Sequence, residues 1–586
     1  MEQLLLIILI ACLPILTTGQ IKYDFDTSII VGKEKQIYQQ RQIKIGKDGN
    51  KYVAGFFKGD LTIENVTIST ISPISYFTSQ AIFLAKYDST NKFLWLKKIA
   101  ESDTLNNFSF EKDTVKNLIF AVGYAGKLYY ESDSVTSFGN YDVILLSYDT
   151  ASTFKHKNRI GSINGEIITE NSVTYDDTGN YYVCGSYNKT WAGNFQNYKL
   201  GIGYDTLTTN NEDLFIAKFD SVGNNLWAKS YGAQGIDGLS SLCFYNSRIY
   251  FMGGVTANSL SIGGIPINYP NNYQSKYFLA QLDINGVGIW LKYFGNEYNN
   301  GLGYVSPKNM TVKSNRVYFT GIGSDQNQLV CLFEGGSSLA GGNGNFDYFI
   351  AGYDTLGNFK WNIIAKSPYD EYLNQLNIDS LGNVYGIGNM VFSSYFPNDT
   401  LYTNGSDDVL LCSYDSSGNF RWATHGGGVS TDIGSSIALD NNGKIFIVGG
   451  TTSSGGCMMG NDTLYPPANQ STMFFASLDS IDATWPLQNT VQFHESFQIE
   501  VYPNPAYKYL YVDMKQLVTQ TKNEHTLIKM QNALGQIVYM TQVAENYSNT
   551  PNSLHTIDIS SYPNGIYFFS LISDQQAISK KIIIQH

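Results

Sequence analysis

The sequence is poor in charged residues and in the residue combinations that build helices. Only 15% of its 586 residues are Asp, Glu, Lys or Arg, and few windows are rich in Ala, Glu and Lys, so little of the chain favours an α-helix. Gly, Tyr, Phe, Asn and Ser are abundant instead, which favours strands joined by tight turns. The composition therefore predicts an all-β protein.

Positive charge is also scarce. No run of Lys or Arg offsets the formal net charge of −12, and a surface of this sign repels a phosphate backbone. The sequence therefore predicts that the protein does not bind nucleic acid. The chain is too long for one ordinary core, so several domains or one large domain built from repeats are expected.

Long hydrophobic runs are missing except near the N-terminus. The apolar stretch from Leu4 to Leu16 is shorter than the ~20 residues that span a bilayer, but it has the length of a signal-peptide core. Residues 1–19 are therefore predicted to be a signal peptide. A second interpretation is a lipobox at Leu9–Cys12, which would make Cys12 a lipidated N-terminus. No transmembrane span is expected elsewhere.

Cysteine and histidine are too few and too scattered to suggest a site. The cysteines after the leader are odd in number and lack paired spacing: Cys184, Cys243, Cys331, Cys412 and Cys457. They do not indicate a disulfide or zinc scaffold. The six histidines do not cluster, and no HExxH, GxSxG or phosphate-binding loop occurs. No catalytic residue, cofactor or metal is predicted.

What the sequence does contain is a long internal repeat. An apolar run that ends in Asp recurs at intervals of 61 to 71 residues, at Asp88, Asp149, Asp220, Asp283, Asp354, Asp415 and Asp479. An aromatic position follows each run after a turn, and it is occupied by Trp95, Trp227, Trp290, Trp361, Trp422 and Trp485, with His156 in the second copy. Because this position takes six of seven tryptophans, we expect these side chains, and His156, to have a packing role.

A second anchor gives the number of strands in each repeat. Segments such as GNYYVCG and GKIFIVGG end at Gly55, Gly123, Gly185, Gly253, Gly321, Gly388 and Gly449. Each follows a short alternating segment, usually across an Asp-x-x-Gly-Asn turn, so every repeat holds four strands. Four strands repeated seven times predict a seven-bladed β-propeller over residues 20–486. The segment from Ile21 to Gln40 is a candidate for closing the ring by pairing with the last blade.

The repeat also resembles a known family. Asp-x-x-Gly-Asn-x-Tyr-Val-x-Gly followed by Asp-x-Phe-Leu-Ala-Lys-Tyr-Asp-x-x-Gly-Asn-x-x-Trp is similar to the repeat of bacterial seven-bladed propellers found in secreted proteins. Good copies occupy residues 177–185 and 213–227. The resemblance covers about residues 36 to 486 and implies the fold. It implies no activity, because that family is defined by its architecture.

A different pattern begins near Ser496. Alternating strands separated by short turns predict a small antiparallel, Ig-like β-sandwich over residues 498–586, after a linker at 487–497. This segment resembles the type A C-terminal sorting domain of type IX secretion cargo. The matching residues are Pro503, Asn504, Pro505, Gly535, Pro563, Asn564, Gly565, Tyr567, Lys580 and Lys581.

The resemblance implies a destination and a partner. Domains of this type are recognised by the outer-membrane secretion and sorting machinery, and they are usually cleaved off as the cargo is released or tethered to surface polysaccharide. Together with a signal peptide, such a domain implies an extracellular or cell-surface location. The alternative is an accessory sandwich domain without a sorting role.

The Asp-x-x-Gly-Asn turns superficially resemble calcium loops. They lack the alternating carboxylates and the bidentate Glu that complete a calcium shell. We therefore expect Asx-type hairpin turns in which Gly or Asn adopts left-handed backbone angles.

Binding is the function that the sequence favours. Propellers bring loops from every blade to one axial face, and an aromatic, Asn-rich surface suits a glycan or a protein ligand. Trp191 lies outside the repeated positions and is the tryptophan expected to be available for stacking on a ligand. Two alternatives are an adhesion module without a small ligand and a secreted polysaccharide-degrading enzyme with paired axial carboxylates. His425, in a turn between repeats, is a weaker candidate for lining a site.

Overall fold

The computed structural model describes residues 22–34, 41–71, 79–113, 116–189, 198–209, 211–232, 237–270, 273–297, 304–324, 330–336, 339–340, 346–365, 367–397, 399–460, 462–466, 471–481, 500–513, 526–532, 537–543, 554–573 and 577–586. Within these ranges all extended regular structure is β-strand and no helix occurs, which confirms the all-β class. The predicted signal peptide and linker, Trp191, Trp485 and Gly535 lie outside the described residues.

Most strands form antiparallel units of four, named here A to G. After β1 (Lys22–Glu34), unit A contains β2 (Arg41–Ile45), β3 (Lys51–Phe57), the hairpin β4 (Asp60–Ile63) and β5 (Val66–Ser69), β6 (Gln80–Tyr87) and the first half of β7 (Phe93–Lys112). Unit B contains the second half of β7, β8 (Asn117–Tyr130), β9 (Asp133–Thr136), β10 (Asp142–Asp149) and β11 (Phe154–Gly161). Unit C contains β12 (Gly165–Ile167), β13 (Val173–Tyr175), β14 (Tyr181–Lys189), the hairpin β15 (Tyr198–Ile202) and β16 (Asp205–Thr209), β17 (Asp213–Phe219) and β18 (Asn225–Tyr231).

The remaining units follow the same order. Unit D contains β19 (Asp237–Tyr245), β20 (Arg248–Val255), the hairpin β21 (Ser259–Ile262) and β22 (Ile265–Asn268), β23 (Tyr273–Asp283) and β24 (Gly288–Glu297). Unit E contains β25 (Tyr304–Lys313), β26 (Arg316–Ser324), the hairpin β27 (Val330–Phe333) and β28 (Leu339–Ala340), β29 (Phe346–Asp354) and β30 (Phe359–Ile364). Unit F contains β31 (Glu371–Ile378), β32 (Val384–Phe396), β33 (Asp399–Tyr414) and β34 (Phe420–Gly428). Unit G contains β35 (Asp432–Leu439), β36 (Ile445–Thr451), the hairpin β37 (Cys457–Met459) and β38 (Asp462–Leu464), and β39 (Ser471–Ile481).

Aspartate-capped turns join the strands within each unit. Oδ1 of Asp354 accepts hydrogen bonds from the N–H groups of Leu356 and Asn358 at 3.0 and 2.9 Å, and Gly357 has a φ of 82°, which favours glycine. The same pair of bonds recurs at Asp88, Asp149, Asp176, Asp220, Asp283, Asp379, Asp415 and Asp440. These bonds confirm that the loops are Asx-type turns.

The repeated tryptophans join each unit to the next. Nε1 of Trp227, Trp290 and Trp361 donates to a backbone oxygen in the last turn of the following unit, at 3.2, 3.2 and 3.1 Å. His156 takes the equivalent place in unit B, stacking on Tyr181 with the ring centroids 6.0 Å apart. The predicted packing role is therefore confirmed for Trp227, Trp290, Trp361 and His156.

Hydrogen bonds also link the first strands of neighbouring units. Five of them, between 2.7 and 3.2 Å long, run from a backbone N–H of one unit to a side chain of the unit before it: Phe110 to Gln42, Ser172 to Ser109, Met310 to Ser241, Leu376 to Asn309 and Ile437 to Gln375. Units C and D are joined by a backbone bond from Leu242 to Asn171 at 2.8 Å. A bond of 3.1 Å from Ile43 to Ser436 joins unit G back to unit A.

The N-terminal strand completes the last unit. β1 pairs with β39 in antiparallel register, with Ile29 opposite Phe475 and Ser28 opposite Ala476. Unit G therefore has the strand order β35-β36-β39-β1. Its first three strands come from residues 432–481, and the fourth comes from residues 22–34. The predicted pairing of the segment after Ile21 with the last unit is observed for residues 22–34.

Insertions between the second and third strands cover exposed sheet edges. The hairpin β15–β16 of unit C pairs with β11 of unit B, β27–β28 of unit E pairs with β24 of unit D, and β37–β38 of unit G pairs with β34 of unit F. Each insertion thus satisfies the outer edge of the preceding unit, which would otherwise offer unpaired backbone groups.

The C-terminal segment forms two further sheets. One contains β40 (Glu500–Tyr502), β41 (Tyr509–Asp513) and β44 (Leu554–Asp558), and the other contains β43 (Ile537–Val543), β42 (Thr526–Asn532), β45 (Gly565–Ser573) and β46 (Ala577–Ile584). Leu510, Val512 and Ile557 from the first sheet share one buried cluster with Ile528 and Phe569 from the second. The two sheets therefore enclose a common core.

Candidate functional site

A polar cluster lies where the first strands of the units meet. β-bulges near the start of β19, β25, β31 and β35 insert one extra residue, and these residues are Ser240, Lys308, Asn374 and Ser435. A bulge turns the inserted side chain away from the regular alternation of a strand. In unit C, Glu170 occupies the break between β12 and β13.

One contact near this cluster joins two units that are not neighbours in the chain. Nε2 of Gln42 in unit A donates to the backbone oxygen of Glu170 in unit C at 2.6 Å, although unit B lies between them. Asn107 of unit B donates to the backbone oxygen of Ile168 at 3.0 Å. The first contact shows that units A and C approach each other although unit B separates them in the chain.

Two ionisable side chains of the cluster, Glu170 of unit C and Lys308 of unit E, influence each other electrostatically. Nζ of Lys308 donates to Oδ1 of Asn374 at 3.0 Å and lies 5.3 Å from the ring centroid of Tyr372. Burial raises the pKa of Glu170 to about 7, although Lys308 opposes this shift. Burial likewise lowers the pKa of Lys308, and Glu170 opposes that shift. The cluster, here called the axial site, contains the carboxyl group of Glu170, the ammonium group of Lys308 and two amides, those of Gln42 and Asn374, that bond to other parts of the chain.

An ion pair joins the first strands of units A and B. Nζ of Lys44 on β2 lies 2.7 Å from Oε2 of Glu111 on β7, and both side chains are 23% exposed. Lys44 comes two residues after Gln42 on β2, so this pair lies towards the Asx-turn side of the units. Each charge has its partner in the adjacent unit, so the pair joins units A and B.

Buried acidic residues form a repeated feature at the junctions between units. An aspartate of a third strand and an acidic residue near the start of the next unit's first strand come together in four places: Asp142 with Glu166, Asp213 with Asp237, Asp347 with Glu371, and Asp408 with Asp432. Burial, reinforced by the neighbouring carboxylate, raises the pKa of Glu166 to about 8 and that of Asp432 to about 7. The pKa of Glu371 is raised for the same reasons.

These acidic pairs are structural and closed to a substrate. Seven of the eight side chains are fully buried, the exception being Asp213, and donors from the chain already bind them. Ser453 Oγ and the N–H of Gly428 donate to Oδ2 of Asp432 at 2.8 and 2.6 Å. His425 Nδ1 lies 2.9 Å from Oδ2 of Asp408, so this weaker candidate from the sequence has a bonding partner at a junction.

The Pro-Asn-Pro segment of the C-terminal domain holds the last strand. Nδ2 of Asn504 donates to the backbone oxygen of Lys581 at 2.9 Å, and Oδ1 of Asn504 accepts from the N–H of Ile583 at 2.8 Å. Pro503 and Pro505 flank this amide and are exposed. The first and last segments of the domain are therefore joined at one edge.

The other matched residues surround the chain end. The hydroxyl of Tyr567 donates to the backbone oxygen of Pro563 at 2.8 Å, and Oδ1 of Asn564 accepts from the N–H of His586 at 2.7 Å. Lys580, Lys581 and Gly565 are exposed. The structure thus brings together all the sorting-motif residues that it describes, whereas Gly535 lies outside the described residues.

Sequence patterns missed the axial site because its residues do not repeat. Glu170, Lys308 and Asn374 each stand five or six residues before the turn that ends the first strand, at Asp176, Lys313 and Asp379. The available signal was one position of the repeat, five or six residues before the turn. The residue there is polar in these three units, but its charge differs from unit to unit. In the parts of the chain that the structure describes, no group of three or more His, Cys, Asp or Glu side chains could hold a metal ion, and no helix is long and apolar enough to cross a membrane.

The chain is similar to a few known proteins over most of its length. It is 22% identical over 497 residues to an uncharacterized WD repeat-containing protein, L264, of Acanthamoeba polyphaga mimivirus, covering 70% of this chain and 35% of that protein. The chain thus spans about a third of the length of the curated relative that it matches.

Three solved structures are similar at low TM-scores. A chain of the mitotic checkpoint complex gives a TM-score of 0.35 at 10% identity, covering 78% of this chain and 93% of that one. A member of the DUF4221 family from Bacteroides vulgatus gives 0.30 at 12% identity, covering 66% and 97%. The endosialidase of phage phi92 gives 0.32 at 8% identity, covering 82% and 73%. Similarity at TM-scores this low assigns no function to this chain.

The C-terminal domain has a family match of its own. Residues 500–585 match the secretion system C-terminal sorting domain, in agreement with the motif residues gathered at its edge. A sorting domain of this type implies interaction with the type IX secretion machinery and export to the cell surface or the extracellular space. The chain therefore carries a C-terminal sorting domain of the type IX secretion system at residues 500–585.

Proposed function

We propose that units A to G are the blades of one seven-bladed β-propeller over residues 20–486, followed by a linker at 487–497 and an Ig-like sandwich at 498–586. The support for a closed ring is the set of hydrogen bonds between first strands, because the bond from Ile43 to Ser436 returns the series to its starting unit. The pairing of β1 with β39 supports the same conclusion. The predicted signal peptide, residues 1–19, would start the export that the sorting domain completes.

The exported propeller acts as a binding or adhesion module for a glycan or a protein ligand. The observation that carries this proposal is the axial site, where Glu170 and Lys308 from separate blades converge with Asn374 and Gln42. The carboxyl group of Glu170 and the ammonium group of Lys308 provide an acceptor and a donor, which suits a polar ligand rich in hydroxyl or amide groups. Trp191, close to unit C in sequence, remains a proposed stacking residue.

The test is ligand binding by the full chain and by Lys308→Met and Glu170→Gln variants. A glycan array identifies a glycan ligand, and capture of extracellular proteins on the immobilised chain identifies a protein ligand. Removing a charged hydrogen-bond donor at the site is expected to weaken binding about tenfold or more. Lys292→Met, which removes a comparable ion pair with Glu334 on an outer strand, should bind like wild type. Equal binding by all variants would place the ligand elsewhere.

A secreted polysaccharide-degrading enzyme is the second candidate. It is favoured by Glu170, because a carboxyl group with a pKa of about 7 has the protonation behaviour of a general acid at neutral pH. Release of reducing sugar from surface polysaccharides by the full chain, lost in Glu170→Gln, would establish it. Glycan binding without such release would support the binding module instead.

The exposed edge made by Pro503, Asn504, Pro505, Lys580 and Lys581 is the proposed contact for the secretion machinery. Asn504→Ala removes both hydrogen bonds to the last strand, so it should release that strand from the edge and reduce surface delivery. Tyr507→Ala, which changes an exposed side chain nearby, is the matched control. Surface delivery is measured by protease accessibility on intact cells, and delivery of Asn504→Ala at the wild-type level would contradict this assignment.

A further inference from the structure

The long hairpin of unit F ends in an apolar recess. The pairing of β32 with β33 is irregular at Phe392, which lies between the pairs Val391–Asp407 and Ser393–Tyr402. The φ of Phe392 is 56°, a backbone conformation that bulky residues rarely adopt and that must be supported by surrounding contacts. The ring of Phe392 packs against Tyr369, with the centroids 4.9 Å apart. The unusual backbone thus aims an aromatic side chain into a recess lined by Tyr369 and Val391.

A methionine of the sorting domain packs into this recess. Met540 on β43 contacts the cluster of Phe392, Tyr369 and Val391, and Phe392 is only 6% exposed. Met540 lies directly opposite Lys529 on β42, so both side chains leave the same face of the sheet. Methionine suits an irregular aromatic recess because its side chain is flexible and its sulfur is polarisable.

The lysine beside this methionine contacts the same hairpin. Nζ of Lys529 lies 5.9 Å from the ring centroid of Tyr402 on β33. Burial lowers the pKa of Lys529, and the carboxylate of Asp408 opposes that shift. The surroundings of Lys529 therefore combine an aromatic face with a negative charge from the propeller, both of which favour an ammonium group.

We propose that the hairpin of β32 and β33 is a docking surface for the chain's own sorting domain. Met540 provides the apolar contact in the recess of Phe392, and Lys529 provides the polar contact over Tyr402. Docking in this position leaves Pro503, Asn504, Pro505, Lys580 and Lys581 exposed. The exposed edge of the sorting domain therefore keeps a fixed orientation relative to the propeller, and the domain does not reorient freely on its linker.

Cross-linking of paired cysteines in the full chain tests this proposal. Phe392→Cys with Met540→Cys places two thiols at the contact, and a short bismaleimide should join them within one molecule. Tyr204→Cys with Met540→Cys is the matched control, because Tyr204 is 97% exposed on the hairpin of unit C. Docking raises the local concentration of the first pair only, so its intramolecular yield should exceed that of the control by ~10-fold or more.

A second pair of cysteines tests the same contact without changing Phe392, so the result does not depend on the folding of the Phe392→Cys variant. Tyr402→Cys with Lys529→Cys keeps the apolar contact intact and should also give a high yield. Among the described residues the native cysteines are buried or half-buried, so the wild-type chain serves as the blank. Similar yields for both contact pairs and the control pair would show a freely moving domain and overturn the proposal.

Discussion

The hydroxyl oxygen of Ser436 accepts a hydrogen bond from the backbone N–H of Ile43 at 3.1 Å, although 393 residues separate them in the chain. Ser436→Ala should destabilise the protein by about 1 to 3 kcal/mol, because a buried N–H group would lose its acceptor. Ser241→Ala removes the equivalent bond between units D and E and should cost a similar amount. Thermal unfolding of the two variants is the measurement. A loss in Ser241→Ala without a loss in Ser436→Ala would mean that units A and G do not meet in solution.

The turn glycines allow the indole rings to approach the next unit. Gly418 has a φ of 85°, and a Cβ added there would lie 2.7 Å from the Trp361 ring. Gly418→Ala should therefore combine the backbone cost of a left-handed alanine, about 1 kcal/mol, with a steric cost of about 1 to 3 kcal/mol. The free energy of unfolding in urea measures the sum.

Gly443 separates the two costs. Its φ is 84°, and a Cβ there would meet nothing within 4 Å, so Gly443→Ala should show the backbone cost alone. The difference between the variants then reports the contact with Trp361. Equal losses would mean that the indole ring does not pack on the turn.

The acidic pairs should make the folded protein less stable as the pH rises. Burial and Asp142 raise the pKa of Glu166 from 4.5 to about 8, so between these values the folded chain holds a proton that the unfolded chain has lost. Stability from this group is complete below about pH 4.5 and is lost as the pH rises towards 8, at up to ~1.4 kcal/mol per pH unit.

Glu166→Gln removes this dependence, because an amide does not titrate in this range. The melting temperature of wild type should therefore fall relative to that of Glu166→Gln between pH 5 and pH 8. Glu334→Gln, which changes a half-buried carboxylate paired with Lys292, is the control and should follow wild type. A constant difference between wild type and Glu166→Gln at every pH would show that the pKa of Glu166 is not raised on folding.

The repeating parts of the fold could be predicted from the sequence because each has a local cause. Asp354 and Gly357 form their turn from contacts within five residues, and Trp361 occupies a position that recurs with every unit. His156 could be assigned to packing since it fills the same position. The sorting residues Asn504 and Tyr567 could be found by resemblance, although their contacts with Lys581 and Pro563 became visible only in the structure.

The axial site and the junction pairs could not be predicted, because they depend on distant parts of the chain. Gln42 meets Glu170 across 128 residues, and neither belongs to a motif. Asp142 and Glu166 come from consecutive units, so their pairing follows from how two sheets pack and not from either sequence segment. Trp191 and Gly535 stay predictions, because they lie outside the described residues.

The Asx turns should fail at acid pH, and this final prediction separates them from calcium sites. Partial burial raises the pKa of Asp354, but hydrogen bonds from Lys360, Asn358 and the turn amides outweigh it and lower the pKa to about 2. Asp354→Ala should cost about 1 to 2 kcal/mol at pH 7. Its effect should shrink as the pH falls from about 4 to 2, since protonation then removes the same bonds from wild type. Both carboxylate oxygens of Asp354 already accept hydrogen bonds within the turn. Adding calcium or a chelator at pH 7 should therefore leave the melting temperatures of wild type and Asp354→Ala unchanged. A calcium-dependent rise in the melting temperature of wild type alone would identify Asp354 as a calcium ligand.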